Sequence, residues 1–169
     1  GIKDSEREQA AAAGVDPVEH TIAYDGIAAV VHPNNPVGQL SVQQLSDIYS
    51  GQVTKWSELG VEGMGDIVVV GRDASSGTYG SWEEMIVQAV DDSREYIASM
   101  LQMQSNEAIK SQVASTEAAI GYIGLGYLDD SIKVVPVVPL EGGDAVVPTE
   151  ATVADGSYPV SRGLYMYTN

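Results

Sequence analysis

Residues 67–79, IVVVGRDASSGTY, hold the groups in this 169-residue chain best suited to gripping an oxyanion. The β-branched run predicts a short strand over residues 66–71, which delivers Arg72 at its C-terminal end. The small residues Asp73, Ala74 and Ser75 then turn the chain, and Ser76-Gly77-Thr78 opens a helix. A helix start offers unpaired backbone N–H groups and a partial positive charge of roughly +0.5. Gly77 lets the backbone approach a ligand with no Cβ in between. Ser76 and Thr78 add hydroxyl donors, and the Arg72 guanidinium is a planar fork suited to two oxygens of a tetrahedral anion. The ligand would lie at the carboxyl end of a strand, where open α/β sheets bind things.

The same residues have a plainer reading, in which Ser76 only caps its helix and Arg72 pairs with a nearby carboxylate. The chain has four arginines among 24 acidic residues, and one stands directly before a donor-rich helix start, which favours a ligand. The segment is not a P-loop, because the G-x-x-x-x-G-K-[ST] pattern with its lysine is missing. A Ser–His–Asp hydrolase built from Ser76, His32 and an aspartate lacks the G-x-S-x-G elbow. His20 and His32 are the only histidines. Neither has a partner at metal-ligand spacing, and Glu19 falls on the opposite strand face from His20, so both read as surface or hinge residues. Asp91, Asp92 and Glu95, and the pair Asp129-Asp130, miss the EF-hand spacing and read as solvated acidic surface. Trp56, Trp82, Tyr122 and Tyr127 could line a pocket, but core or interface packing is the commoner use of such aromatics.

The elements that must position the turn alternate between strand and helix, which indicates an α/β layered fold. A helix is predicted over residues 4–14, with a Ser5/Glu8 capping box and Gly14 as its stop. Strands follow over residues 18–24 and 27–32, broken at Asp25-Gly26. Pro33-Asn34-Asn35-Pro36 can be neither helix nor central strand and is a candidate crossover between lobes. Residues 41–50 form a helix with a Ser41/Gln44 capping box and Gly51 as its stop. Residues 76–90 are an amphipathic helix, and residues 106–113 a further one. Strands are expected over residues 118–123 and 132–138, a short helix over 149–155, and an extended segment over 158–167. The terminal strand is expected to be buried.

Composition narrows the function classes. The formal net charge of −16 repels phosphate backbones, so nucleic acid is excluded as a partner. An anionic ligand must then be held by a local device against the global field. Such acidity also suits a salt-tolerant host. Cysteine is absent, which excludes disulfides and thiolate metal sites. No apolar stretch approaches the about 20 residues that span a bilayer, and no export signal opens the chain.

The segment GRDASSGTYGSWEEM resembles the ligand loop of PstS-type phosphate-binding proteins, in which Arg, a short spacer and Ser-Gly-Thr recur. Other stretches resemble the same family in the same order. They are IKDSERE at residues 2–8, DGIAAVVHPNNPV at 25–37, LSVQQLSDIYSGQVTKWSELG at 40–60, AIGYIGLGYLDD at 119–130 and YPVSRGLYMYTN at 158–169. The resemblance implies a type II periplasmic-binding-protein fold, with one nearly complete lobe plus part of the second, joined by hinge strands. Residues 1–32 would be a partial first lobe and hinge strand, 33–157 the second α/β lobe, and 158–169 a return strand. It implies Arg72, Ser76, Gly77 and Thr78 as ligand contacts. Asp73 and Ser75 are further candidates, Asp73 as the acceptor carboxylate that tells a protonated phosphate from sulfate. It also implies capture of inorganic phosphate outside the membrane and delivery to the permease subunits of an ABC transporter, with no catalysis, no cofactor and no metal. Sulfate, molybdate or tungstate, or a sensory or adhesion role on the same fold, remain alternatives. Ligand-bearing segments ahead of residue 2 and a closing helix after residue 169 are absent from this sequence. The chain is therefore expected to be a fragment carrying half of the anion site, with self-association through open strand edges a further expectation. Arg162 is expected to pair with a carboxylate across the hinge.

Overall fold

The computed structural model describes Ile2 and residues 4–168. Its centre is a mixed sheet ordered β4-β3-β5-β1-β6, with β8 alongside β1. The strands are β1 (Val18–Val31), β3 (Val68–Arg72), β4 (Leu101–Met103), β5 (Ala119–Gly124), β6 (Lys133–Val134) and β8 (Ser161–Thr168), while β2 (Leu40–Ser41) and β7 (Val137–Val138) pair separately. The α-helices among the described residues are α1 (Asp4–Ala12), α2 (Val42–Tyr49), α3 (Gly77–Trp82), α4 (Asn106–Ser115) and α5 (Glu150–Ala154).

The inner half of β1 explains why its apolar run is unbroken. Successive strand side chains point to opposite faces, and here both faces are covered. Ile27, Ala29 and Val31 join one core with Leu45, Ile48, Trp82 and Tyr122, and Ala28 and Val30 join a second with Ile109, Val113 and Ile123. β3 is near-continuous valine for the same reason, lying parallel to both β4 and β5. The expected strand and turn therefore stand where the sequence puts them.

α2 begins as its sequence predicts. The Ser41 hydroxyl accepts from the Gln44 N–H at 3.1 Å, and the Gln44 side chain accepts from the Ser41 N–H at 2.9 Å. Gly51, at φ 78°, supplies the left-handed residue that ends it.

Five expectations are corrected. β1 runs through Asp25-Gly26 without a break, because these residues pair with Arg162 and Ser161 of β8 and stay extended. Strand pairing overrides the local turn signal. The 76–90 helix is shorter: α3 passes into a π-helical turn at Glu83–Val87, where the Gln88 N–H reaches back to the Glu83 carbonyl at 2.8 Å. The 132–138 strand splits at Pro136, which has no N–H to donate, so β6 joins β1 and β7 joins β2. α1 begins at Asp4, so Ser5 lies inside the helix rather than capping it. β8 is mostly uncovered over its second half: Leu164, Tyr165 and Met166 are 41%, 37% and 51% exposed. There β8 pairs with β1 residues 18–24, themselves exposed, and α1 buries no residue.

Candidate functional site

The turn after β3 is built from both ends. Gly71 is required for space, since a Cβ there would meet the Met100 sulfur at 2.6 Å and the Tyr122 hydroxyl at 3.0 Å. That space lets the Tyr122 hydroxyl accept the Arg72 N–H at 3.0 Å. The Asp73 N–H donates to the Met103 carbonyl at 3.0 Å, which carries the ladder with β4 one residue past the strand. The Ser76 N–H then donates to the Asp73 carbonyl at 3.0 Å and closes the turn. Asp73 Oδ1 accepts from the Ser75 N–H at 3.0 Å and from the Ser75 hydroxyl. These bonds, the Ser75 hydroxyl foremost, hold the Asp73 carboxyl below its ordinary range and keep it ionised. Ser76 caps α3, its Oγ accepting the Thr78 N–H at 3.1 Å. A Cβ added at Gly77 would meet no atom of the chain, and its φ is not positive. Neither packing nor backbone geometry demands glycine there, although glycine costs a helix roughly 1 kcal/mol relative to alanine.

Arg72 is the electrostatic centre. The other three arginines form ion pairs, Arg7 with Glu19, Arg94 with Asp47 and Arg162 with Asp25. Arg72 forms none among the described residues. One amino group, Nη2, donates to the Gln104 carbonyl at 3.1 Å. Its Nε is buried and has no hydrogen-bond partner among the described residues. An unsatisfied buried donor costs on the order of 1–3 kcal/mol, and more when charged. In a chain of net charge −16, a buried guanidinium donor with no ion pair among the described residues is poised for an acceptor from outside.

A shell of aromatic residues fixes this geometry. Trp82 of α3 stacks on Tyr122 with centroids 4.6 Å apart and an interplanar angle of 14°, and meets the edge of Tyr49 at 5.3 Å. The Tyr49 hydroxyl donates to the Val70 carbonyl at 3.2 Å, and the Tyr96 hydroxyl to the Tyr79 carbonyl at 2.8 Å. Burial pushes the pKa values of Tyr49, Tyr96 and Tyr122 above the usual phenol range, so these hydroxyls remain protonated. Three phenols thus hold the backbone where β3 ends and α3 begins. The sequence marks Tyr122 as an aromatic at a strand but gives no signal that its hydroxyl serves Arg72.

The structure brings Arg72, Asp73, Ser75, Ser76, Gly77 and Thr78 together in one turn, and it resolves the plainer reading only in part. Ser76 does cap α3, but Arg72 has no carboxylate partner among the described residues. Trp56, Trp82 and Tyr122 are packed in the core, whereas Tyr127 is 46% exposed. His20 Nε2 lies 3.0 Å from the Thr168 hydroxyl, and His32 Nδ1 accepts from the Asn34 N–H. Neither is near Ser76 in any described contact. Asp91 and Asp129 accept from Ser93 and Ser131 in exposed Asp-x-Ser turns, as Asp73 does from Ser75. Arg162 pairs with a carboxylate as expected, that of Asp25, at 2.9 Å.

Fold and turn define an α/β domain that presents a donor-lined turn at the end of a parallel strand. The chain belongs to the PBP superfamily: the family model described as a PBP superfamily domain matches residues 1–169. Among curated relatives, the phosphate-binding protein PstS of Staphylococcus saprophyticus is 33% identical over 173 residues, covering 99% of this chain and 52% of that protein. That of Pseudomonas aeruginosa is 30% identical over 167 residues, covering 92% of this chain and 50% of that protein. Among solved structures, an ABC-type phosphate transport receptor from Vibrio cholerae superposes with a TM-score of 0.81 at 32% identity, over 99% of this chain and 63% of that one. A substrate-binding protein assigned to phosphate ABC transport in Clostridium perfringens, solved with bound phosphate, does so with a TM-score of 0.78 at 37% identity, over all of this chain and 63% of that one. The expected fold, α/β and like that of type II periplasmic-binding proteins, is borne out. The chain spans about half the length of the curated relatives it matches.

Proposed function

We propose that this chain is part of a phosphate-capturing solute-binding protein that works outside the membrane and hands inorganic phosphate to an ABC-type permease. Capture needs no covalent step, no cofactor and no metal. The observation that carries the reading is Arg72, the one arginine without an ion pair among the described residues, whose buried Nε lacks an acceptor. Its neighbours supply the remainder of an anion cradle: the hydroxyls of Ser76 and Thr78, and the open approach at Gly77. The names of the relatives and the phosphate in the Clostridium structure support phosphate as the anion. Asp73 is an ionised acceptor beside the cradle, which favours an anion that still carries a proton, and Ser75 holds it there. In this reading residues 33–157, completed by Ile27–Val31 in the same sheet and core, form the lobe that bears this cradle, while the outer half of β1 and its partner β8 lead toward the hinge and the opposite lobe. No helix among the described residues is long and apolar enough to cross a membrane.

The test is calorimetric titration with phosphate, with sulfate as the control. Saturable phosphate binding is expected, with sulfate at least about tenfold weaker, because sulfate has no proton to offer Asp73. Equal affinity for the two anions would remove the phosphate reading; binding of neither leads to the same titration on a chain that carries both lobes, where failure to bind phosphate would remove it.

A further inference from the structure

The ligand turn is tied to the crossing strands by one side chain. Arg162 sits on β8 directly opposite Asp25 on β1. One edge of its guanidinium grips Asp25 Oδ2, from Nε at 3.1 Å and from Nη2 at 2.9 Å. The remaining nitrogen, Nη1, donates to the Gly77 carbonyl at 3.1 Å and to the Ser81 hydroxyl. Gly77 and Ser81 are four residues apart and share one face of α3. The Gly77 carbonyl belongs to the peptide unit whose N–H, on Thr78, points into the turn and meets Ser76 Oγ. Arg162 thus holds one end of a peptide whose other end is in the cradle. It bridges an open cleft of about 1090 Å³ between α3 and the β8 ribbon.

We infer that Arg162 is a positioning residue that couples the crossing strands to the ligand turn, with Asp25 orienting its fork. The inference depends on the phosphate reading for one of its two readouts. Any shift of β1 against β8 near Asp25 moves the fork, and with it the Gly77–Thr78 peptide. By reciprocity, an anion that fixes the turn also fixes the crossing strands. Arginine is needed because a rigid planar group can address Asp25 and α3 at once, whereas the point charge of lysine can serve one side only.

Arg162→Lys, Arg162→Ala and Ser81→Ala are compared with the wild-type chain by two measurements. The first is amide hydrogen exchange at residues 80–82 without phosphate, with α4 as the internal reference. The second is titration with inorganic phosphate. In Arg162→Lys, exchange at residues 80–82 is expected to speed up about tenfold while α4 is unchanged, with phosphate affinity about tenfold lower. Ser81→Ala, which leaves the Asp25 pair intact, is expected to show the same pattern at smaller amplitude. If Arg162→Ala fails to fold, these two variants still decide. Unchanged exchange at residues 80–82 in Arg162→Lys overturns the coupling. So does a rise that α4 shares equally, because that is general loosening. If a wild-type chain that carries both lobes binds no phosphate, the functional reading fails, and the exchange pattern alone still supports or overturns the role of Arg162.

Discussion

Replacing Arg72 with alanine is expected to weaken phosphate binding by at least about a hundredfold while leaving the fold intact. Hydrogen bonds to charged groups are worth about 1.5–3 kcal/mol each, and a guanidinium fork makes two of them to one anion. Losing about 3–6 kcal/mol corresponds to a factor of roughly a hundred to ten thousand or more in affinity. The fold survives because the contacts that build the turn use the backbone of residue 72, whose N–H still reaches Tyr122. The stability of the free protein is expected to stay level or to rise slightly, since a buried donor without an acceptor is removed. Arg72→Lys recovers part of the affinity through its charge and loses the geometry of the fork. Calorimetric titration gives the affinities, and thermal melting without phosphate gives the stabilities. A melting temperature that collapses in Arg72→Ala would mean that the guanidinium serves the fold instead of a ligand.

The second large effect is expected at Trp82. It is fully buried, stacks on Tyr122 and meets Tyr49, and so fastens α3 to the sheet. Truncating a large buried aromatic to alanine costs about 3–5 kcal/mol, a large share of the roughly 5–15 kcal/mol that holds a domain together. Trp82→Ala should therefore shift the urea midpoint far downward without changing the slope. Trp82→Phe is expected to cost less than about 2 kcal/mol, because the ring contact persists and the indole N–H, buried without a partner, disappears. Phosphate affinity should fall in Trp82→Ala, since the helix carrying Gly77 and Thr78 loses its anchor. Equal stability of the alanine and phenylalanine variants would show that the stack contributes little.

What the sequence made legible here is mostly local. The strand ending at Arg72, the small-residue turn and the Ser76 cap lie within twelve consecutive residues, and their side chains state their own roles. The Ser41/Gln44 capping box and the irregular stretch at Pro33–Pro36 were readable for the same reason. What escaped depends on distant pairing. Asp25-Gly26 looks like a turn until β8 lies beside it. β4 is three residues long with an exposed Leu101, so it carries no pattern of burial. The Tyr122 hydroxyl reaches Arg72 across 50 residues, and Arg162 reaches Gly77 across 85. Neither contact leaves a mark in spacing. The split of the 76–90 helix into α3 and a π turn is likewise set by packing against α2, where the Ser46 hydroxyl donates to the Val87 carbonyl at 2.7 Å.

The central claim is that the buried Arg72 Nε–H waits for an oxygen of phosphate. It is tested most directly by following that proton by nitrogen–proton correlation spectroscopy as inorganic phosphate is added. The Arg72 Nε–H resonance is expected to move downfield saturably, in step with the amides of Gly77 and Thr78, and to be unaffected by equal sulfate. An Arg72 Nε–H signal that stays fixed while phosphate binds elsewhere, or that fails to move at millimolar phosphate, would contradict the account.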